Sequence, residues 1–464
     1  MAITVTQEAF PNDNGGVISG EYGKSKTPAV YVVSSTLTTQ TNFKYYVKVY
    51  QDNPVGTLLA TYYIPANPSG DLVFDASSVF DSDLTPDIDT NGGTASVIHD
   101  PSNYFTRATD SCRVFTVRFG EFYGDPAVER TSTDKRLFVF WGKTLSKELR
   151  NTNYLTMLGY SSSNPETKFP FLTERYRGVW HPYDTDESID PVNPIAYDSS
   201  NNTIQVDALS TDKGVLSFLC YSEFMKGADI TAGTTLNGVE YKFYDSSDTL
   251  LGTEYEALNT TNGGHNPNSV TDGQYTIHIA AYPANDQIAA FLSTYSTATY
   301  YTIQLVEQDD PTNVPLCKWF RVNIVNSISC KNTPIRLGWV NRFGGWDYEW
   351  FDGRAVPTFS KDVKTYRKLR GDYSGTSFDY DTWDGGETVY HNEVEKTWRI
   401  RKTVTTYAER VFLETLFESE LVHLFDGDIV VPCTVENRTY VQEPRASKVF
   451  TVEFEIKESN YVNA

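Results

Sequence analysis

Few groups of residues in this chain have the types and spacing that chemistry demands. Gly20-Glu21-Tyr22-Gly23-Lys24-Ser25 closes on the Gly-Lys-Ser triplet of a phosphate-binding loop. The first glycine of that motif falls on Ile18, and Pro28 stands where a helix must begin, so no row of free amides awaits a phosphate. Asp87-Ile88-Asp89-Thr90-Asn91-Gly92 puts oxygen donors on alternate residues before a glycine, as the first half of a calcium loop does. The twelfth position, a bidentate glutamate in such loops, is Ile98, and an Asp/Asn/Gly turn accounts for the same residues. Whether Asp87, Asp89 and Asn91 hold calcium stays open at this point. In Asp379-Tyr380-Asp381-Thr382-Trp383-Asp384-Gly385-Gly386-Glu387, two carboxylates near a Trp would suit glycoside hydrolysis if their separation were fixed. A solvated loop is the plainer reading.

The six histidines, His99, His181, His265, His278, His391 and His423, share no metal-ligand spacing, and no GxSxG elbow occurs. The five cysteines, Cys112, Cys220, Cys317, Cys330 and Cys433, are far apart, which favours buried thiols over zinc ligands and fits assembly in a reducing cytosol. No catalytic residue, cofactor or metal is assigned, and the chain is expected not to be an enzyme. With 60 acidic against 39 basic residues the formal charge is −21, which disfavours specific nucleic-acid recognition. No run of about 18 apolar residues and no signal-like opening is found, so membrane insertion and classical export are not expected.

The elements that would position any site are strands. Aromatic residues make up 14% of the chain, and apolar and polar residues alternate along it. Period two is clear in Phe43–Tyr50, Phe115–Phe119, Val239–Phe243, Tyr275–Ile279, Phe320–Ile324 and Phe450–Ile456. One-sided strands broken by Gly, Asn, Asp and Pro predict antiparallel sheets. Thr57-Leu58-Leu59-Ala60-Thr61 is echoed by Thr249-Leu250-Leu251-Gly252-Thr253, each behind an alternating strand, which predicts a hairpin in each of two repeated units. The fold class expected is mainly β: tandem antiparallel β-sandwich domains of immunoglobulin or fibronectin type, with a C-terminal α+β domain.

Polar, loop-forming stretches at 125–134, 181–202 and 330–334 divide the chain. They predict a sandwich over 1–125, a β-rich connecting domain over 126–202, a second sandwich over 203–332 and an α+β assembly domain over 333–464. In the last, Thr406 and Glu409 have capping-box spacing, and Phe412, Leu413, Leu416, Phe417, Leu421, Leu424 and Phe425 continue an apolar stripe toward Asp426-Gly427. The stripe predicts one helix lying on a sheet.

Two segments stand out as candidate contact sites. Ile335 to Gly353 places two aromatic strands around Gly344-Gly345, a hairpin whose turn needs glycine. Trp339, Phe343, Gly344, Gly345, Trp346 and Asp347 are read either as assembly-interface and turn residues or as parts of a domain core. Lys361, Lys364 and Arg367, with Lys368 and Arg370, form the one dense basic cluster, facing solvent, an acidic neighbour or DNA.

The hairpin, with Cys330 before it and Arg367 after it, resembles a feature of uncharacterised structural proteins of tailed bacteriophages. Asn42–Tyr45 through Tyr62, Pro65–Gly70, Phe171-Leu172-Thr173 and the run from Ala408 through Pro432 to the last strand are similar to the same group. What the resemblance implies is a virion component of tail, baseplate or neck, assembled in the host bacterial cytoplasm. Its partners would be other virion proteins and copies of itself, in a ring or trimer. A glycan- or receptor-binding fibre or adhesin module is the alternative.

Overall fold

The structure is a computed structural model that describes residues 3–10, 21–51, 56–86, 99, 105–108, 110–142, 171–176, 197–198, 203–221, 238–258, 274–309, 312–317, 319–328, 334–353, 355–380, 385–404, 407–427, 429–436 and 449–459. These are mainly β, with three short helices among them. Met1–Ile328 with Val340–Tyr348 forms one compact unit, and Ser329–Trp339 with Glu349–Ala464 forms another.

The first unit begins with β1 (Ile3–Gln7), β2 (Glu21–Lys24), β3 (Val30–Ser35), β4 (Lys44–Gln51), β5 (Leu58–Ile64), β6 (Asp71–Asp75), α1 (Ser77–Asp83), β7 (Phe105–Ala108), β8 (Cys112–Gly124) and β9 (Ala127–Phe140). One sheet has the order β2-β9-β8-β4-β5 and another β1-β3-β6. Phe119 on β8 joins them, its ring 4.9 Å from Tyr31 on β3 and 6.5 Å from Phe74 on β6.

The chain then supplies β10 (Tyr197–Asp198), β11 (Thr203–Leu209), β12 (Val215–Tyr221), β13 (Gly238–Tyr244), β14 (Leu250–Ala257), β15 (Gln274–Ala280), α2 (Asp286–Thr294), β16 (Tyr300–Asp309), β17 (Thr312–Pro315) and β18 (Trp319–Val325). They form a sheet ordered β10-β11-β18-β16-β13-β14, with β17 on β16, and a second sheet ordered β12-β15-β7.

The two halves share a pairing plan. The β4–β5 and β13–β14 hairpins correspond, with β8 flanking β4 as β16 flanks β13. β2 runs parallel to β9, and β11 runs parallel to β18. β3 pairs β6 and β12 pairs β15, and in each half a short helix follows the second of these strands. The echoed sequence reaches into the register. Tyr50 faces Leu58 and Tyr244 faces Leu250, which leaves Leu59 and Leu251 as the extra residue of a bulge in each hairpin.

The repetition breaks at β7. This strand of the first half pairs with β15 of the second, Phe105 opposite Ile279 and Ala108 opposite Thr276.

Two readings of the sequence need correction here. The stretch 125–134, read as a loop, is strand from Ala127 onward, with Asp134 opposite Arg118. β15 is not one-sided, because Thr276 and His278 are buried along with Ile277 and Ile279. His278 bonds through Nδ1 to Ser217 Oγ at 2.8 Å, and burial lowers its pKa to about 3, so it stays neutral.

The second unit contains β19 (Ile335–Val340), β20 (Trp346–Phe351), β21 (Val356–Arg367), β22 (Asp372–Tyr373), β23 (Phe378–Asp379), β24 (Glu387–Val404), α3 (Tyr407–Glu418), β25 (Val422–Asp426), β26 (Ile429–Val435) and β27 (Phe450–Glu458), save that Val340 and Trp346–Tyr348 belong to the first. Its strands follow the order β20-β19-β25-β26-β27-β24-β21. Phe412, Leu413 and Leu416 bury the apolar side of α3. The helix is shorter than its stripe predicts. Ser419 Oγ accepts the Leu421 N–H and donates to the Leu421 carbonyl, a local bond that competes with the helix, and Val422 to Asp426 continue as strand. Thr406 lies outside the described residues.

Phe119 joins two sheets, whereas Val73 on β6 is 58% exposed. Phe119→Ala is expected to cost about 3–5 kcal/mol in urea denaturation and Val73→Ala below about 0.5. Equal effects would refute this packing.

Candidate functional site

The glycine hairpin lies in the interior of the first unit. Asn341 organises its turn: Oδ1 accepts the N–H groups of Phe343 and Gly345 at 2.9 and 3.2 Å, and Nδ2 donates to the Leu172 carbonyl at 2.9 Å and to Asp347 Oδ2 at 2.8 Å. Gly344 has φ +81°, the left-handed region where a side chain is strained. At Gly345 an added Cβ would stand 2.0 Å from the Leu172 carbonyl oxygen. The glycine pair is thus required once by conformation and once by close approach.

Asp347 is 3% exposed. Its carboxylate accepts from the Thr173 hydroxyl, the Glu174 N–H at 3.0 Å and Asn341 Nδ2. Burial is the larger influence and pushes its pKa up to about 6, against the pull of these donors and of the Arg175 charge. Beside it Arg342 donates to the buried Glu174 carboxylate, and Arg175 donates to the Tyr348 carbonyl at 2.7 Å. The Tyr348 hydroxyl accepts the Val215 N–H at 3.1 Å and lies 2.7 Å from His99 Nδ1. Trp346 packs edge-on to His99 at 4.5 Å, and its backbone N–H donates to Ser217 Oγ at 3.3 Å. Phe343 carries the Lys24 ammonium over its ring at 4.3 Å.

Of the residues singled out in the hairpin, Phe343, Gly344, Gly345, Trp346 and Asp347 therefore share one interior network of the first unit. Trp339 belongs to the second, where it is buried against Phe412 and donates through Nε1 to Thr415 Oγ1 at 3.0 Å. Both oxygens of Asp347 are engaged, so the network suits fixing the hairpin rather than moving a proton to a reactant. Thr173, Glu174, Arg175, His99 and Ser217 complete it from distant positions. Their only sequence signal was Thr173, within a segment picked out for its resemblance.

Lys361, Lys364 and Arg367 lie on β21, where all twelve residues are exposed. Among the described residues no ion pair holds them. β21 pairs with β24 from Val356↔Arg399 to Arg367↔Glu387, whereas β27 accompanies β24 only from Thr397 to Val404. Beyond Thr397, β21 and β24 form a two-stranded arm, with nine residues of β21 spanning about 30 Å. Phe359, Val363 and Tyr366 on it are 61%, 38% and 52% exposed.

Lys24 and Ser25 are buried beside a strand with no helix following, so the phosphate-loop triplet has a packing role. Asp87, Asp89 and Asn91 lie outside the described residues, as do Asp381 to Asp384. Cys112, Cys317 and Cys433 are buried thiols outside any disulfide, and burial raises Cys112 and Cys433 to about 12. Among the described residues no group of acids, histidines and cysteines is arranged to hold a metal ion. No protein-family model matches the chain, and no curated protein matches it significantly.

Asp347→Ala would take the acceptor from three buried donors, the Thr173 hydroxyl, the Glu174 N–H and Asn341 Nδ2, at about 1–3 kcal/mol each, so a loss of at least about 3 kcal/mol is expected in denaturation, with Asp347→Asn milder. The folded chain keeps the Asp347 proton to about pH 6, and the unfolded chain releases it near 3.9, so the folded state binds more protons between these values. Stability is expected to fall as pH rises through that window and to level off above it. Asp347→Asn should flatten this slope, and an unaltered slope would contradict the assignment.

Proposed function

We infer that this chain is a structural component of a bacteriophage virion, of tail, baseplate or neck, that acts through protein–protein contacts and not as an enzyme. The observation that carries this reading is the two-stranded arm of β21 and β24. An isolated two-stranded ribbon is marginal in water. Apolar side chains and free cations on an open edge strand are what a neighbouring protein would cover. The resemblance of the hairpin and of other short segments to tailed-phage structural proteins points the same way.

In this reading the halves of the first unit are tandem sandwiches of immunoglobulin or fibronectin type that serve as rigid spacers. Their shared pairing plan and the Phe119 contacts between sheets support it. The Asp347 network fixes the glycine hairpin within that unit. The virion is the corresponding location, and among the described residues no helix is long and apolar enough to cross a membrane.

Exposed tyrosines on the arm and in the segment joining its strands favour a second reading, a glycan- or receptor-binding module. Tyr366 and Tyr390 on the arm lie 6.3 Å apart, and Tyr373 and Tyr380 in the joining segment are also exposed. Such rings stack on sugars.

Quantitative mass spectrometry of purified particles from an infected culture tests the first reading. A fixed copy number per particle is expected, and absence from particles would overturn it. The triple variant Phe359→Ser, Val363→Ser and Tyr366→Ser should keep the unfolding midpoint of the purified chain while losing incorporation. Binding on a glycan array by a chain absent from particles would favour the second reading.

A further inference from the structure

We propose that the arm is covered by the arm of a second copy of this chain, the basic strand β21 of one copy lying antiparallel beside the acidic strand β24 of the next. This deepens the proposed function and rests on it. The two strands of the ribbon differ in charge. Residues 356–370 hold Lys361, Lys364, Arg367, Lys368 and Arg370 against one acid, Asp362. Along β24, the part beyond β27 holds Glu387, Glu393 and Glu395 before Lys396 is reached. β21 is the end strand of its sheet, and in the arm β24 has β21 on one side and no described strand on the other. Among the described residues, both edges thus present unpaired backbone groups.

The charge pattern selects the symmetry. A two-fold contact would set β21 against β21, basic on basic, or β24 against β24, acidic on acidic. Like charges facing each other across strands are destabilising. A head-to-tail contact sets Lys361, Lys364 and Arg367 beside Glu387 and Glu393 of the neighbour. Direction agrees with this. In a ring whose arms all point one way, the outgoing strand of each ribbon adjoins the returning strand of the next, and antiparallel pairing continues around it. Phe359 and Val363 alternate with Lys361 on one side of β21, so closure would also cover apolar surface.

Analytical ultracentrifugation and native mass spectrometry of the purified full chain test this. Cyclic oligomers are expected at low salt, with at least a tenfold rise in the half-dissociation concentration between about 0.05 and 0.5 M salt as the Debye length shrinks. Lys361→Glu with Lys364→Glu makes an acidic arm, and Glu387→Lys with Glu393→Lys makes a basic one. Each double variant alone should be monomeric, with circular dichroism showing that it folds. An equimolar mixture should give rings with an even number of subunits and alternating composition. Amide hydrogen exchange of wild type offers a measurement without substitutions, slowing over residues 358–367 as concentration rises. A wild-type chain that stays monomeric, variants that assemble as wild type does, or a mixture that stays monomeric would overturn the proposal. A monomeric chain found in particles at fixed copy number would overturn the arm pairing alone. Rings formed by a chain absent from particles would overturn the virion reading alone.

Discussion

A strand at the edge of a sheet carries a row of amides and carbonyls that only another strand, a side chain or water can satisfy. Most of this molecule follows from how its edges are closed. In the first unit, β2 closes against β9 and β11 against β18, both in parallel, while β7 crosses from one half to the other to complete a three-stranded sheet. In the second unit the sheet ends on β21. There the edge is long, exposed and rich in side chains suited to contact.

The interior of the first unit is held differently. Around Asp347 a buried carboxylate, a buried Arg342–Glu174 pair and a fully engaged Asn341 replace apolar packing. Such a cluster is sensitive to position, because each donor left unmatched in a dry interior costs more than its bond contributes. It therefore specifies where the hairpin lies, whereas the aromatic contacts of Trp346 and Tyr348 mainly contribute buried area.

Strand existence was largely legible in the sequence, since alternation at Lys44–Gln51, Gly238–Tyr244 and Phe450–Glu458 reflects a face that must be buried. Legibility failed where local pattern and tertiary context disagree. Val356, Phe359, Val363 and Tyr366 are spaced as on a helix, yet they lie in a strand and divide between its two sides, which is why apolar groups stay exposed on both. Leu421, Leu424 and Phe425 extend the periodicity of α3, but Ser419 ends the helix before them. The glycine turn was readable from Gly344-Gly345. Its partners Thr173, Glu174 and His99 were not, because only the folded chain brings together residues 173 to 249 positions apart.

The crossing of β7 sets an order of events during synthesis. Phe105–Ala108 leaves the ribosome about 170 residues before its partner β15 at Gln274–Ala280. At roughly 5–20 residues per second, that strand waits on the order of ten seconds or more without its mate. Both sheets of the early half use its own strands, so it is the β12-β15-β7 sheet of the later half that awaits completion, and Phe105, buried at the end, is left as a sticky segment in the nascent chain. Protection by a chaperone would matter most in that interval, and the later half, which borrows β7 from the earlier one, is not a module that could be cut out and moved elsewhere unchanged.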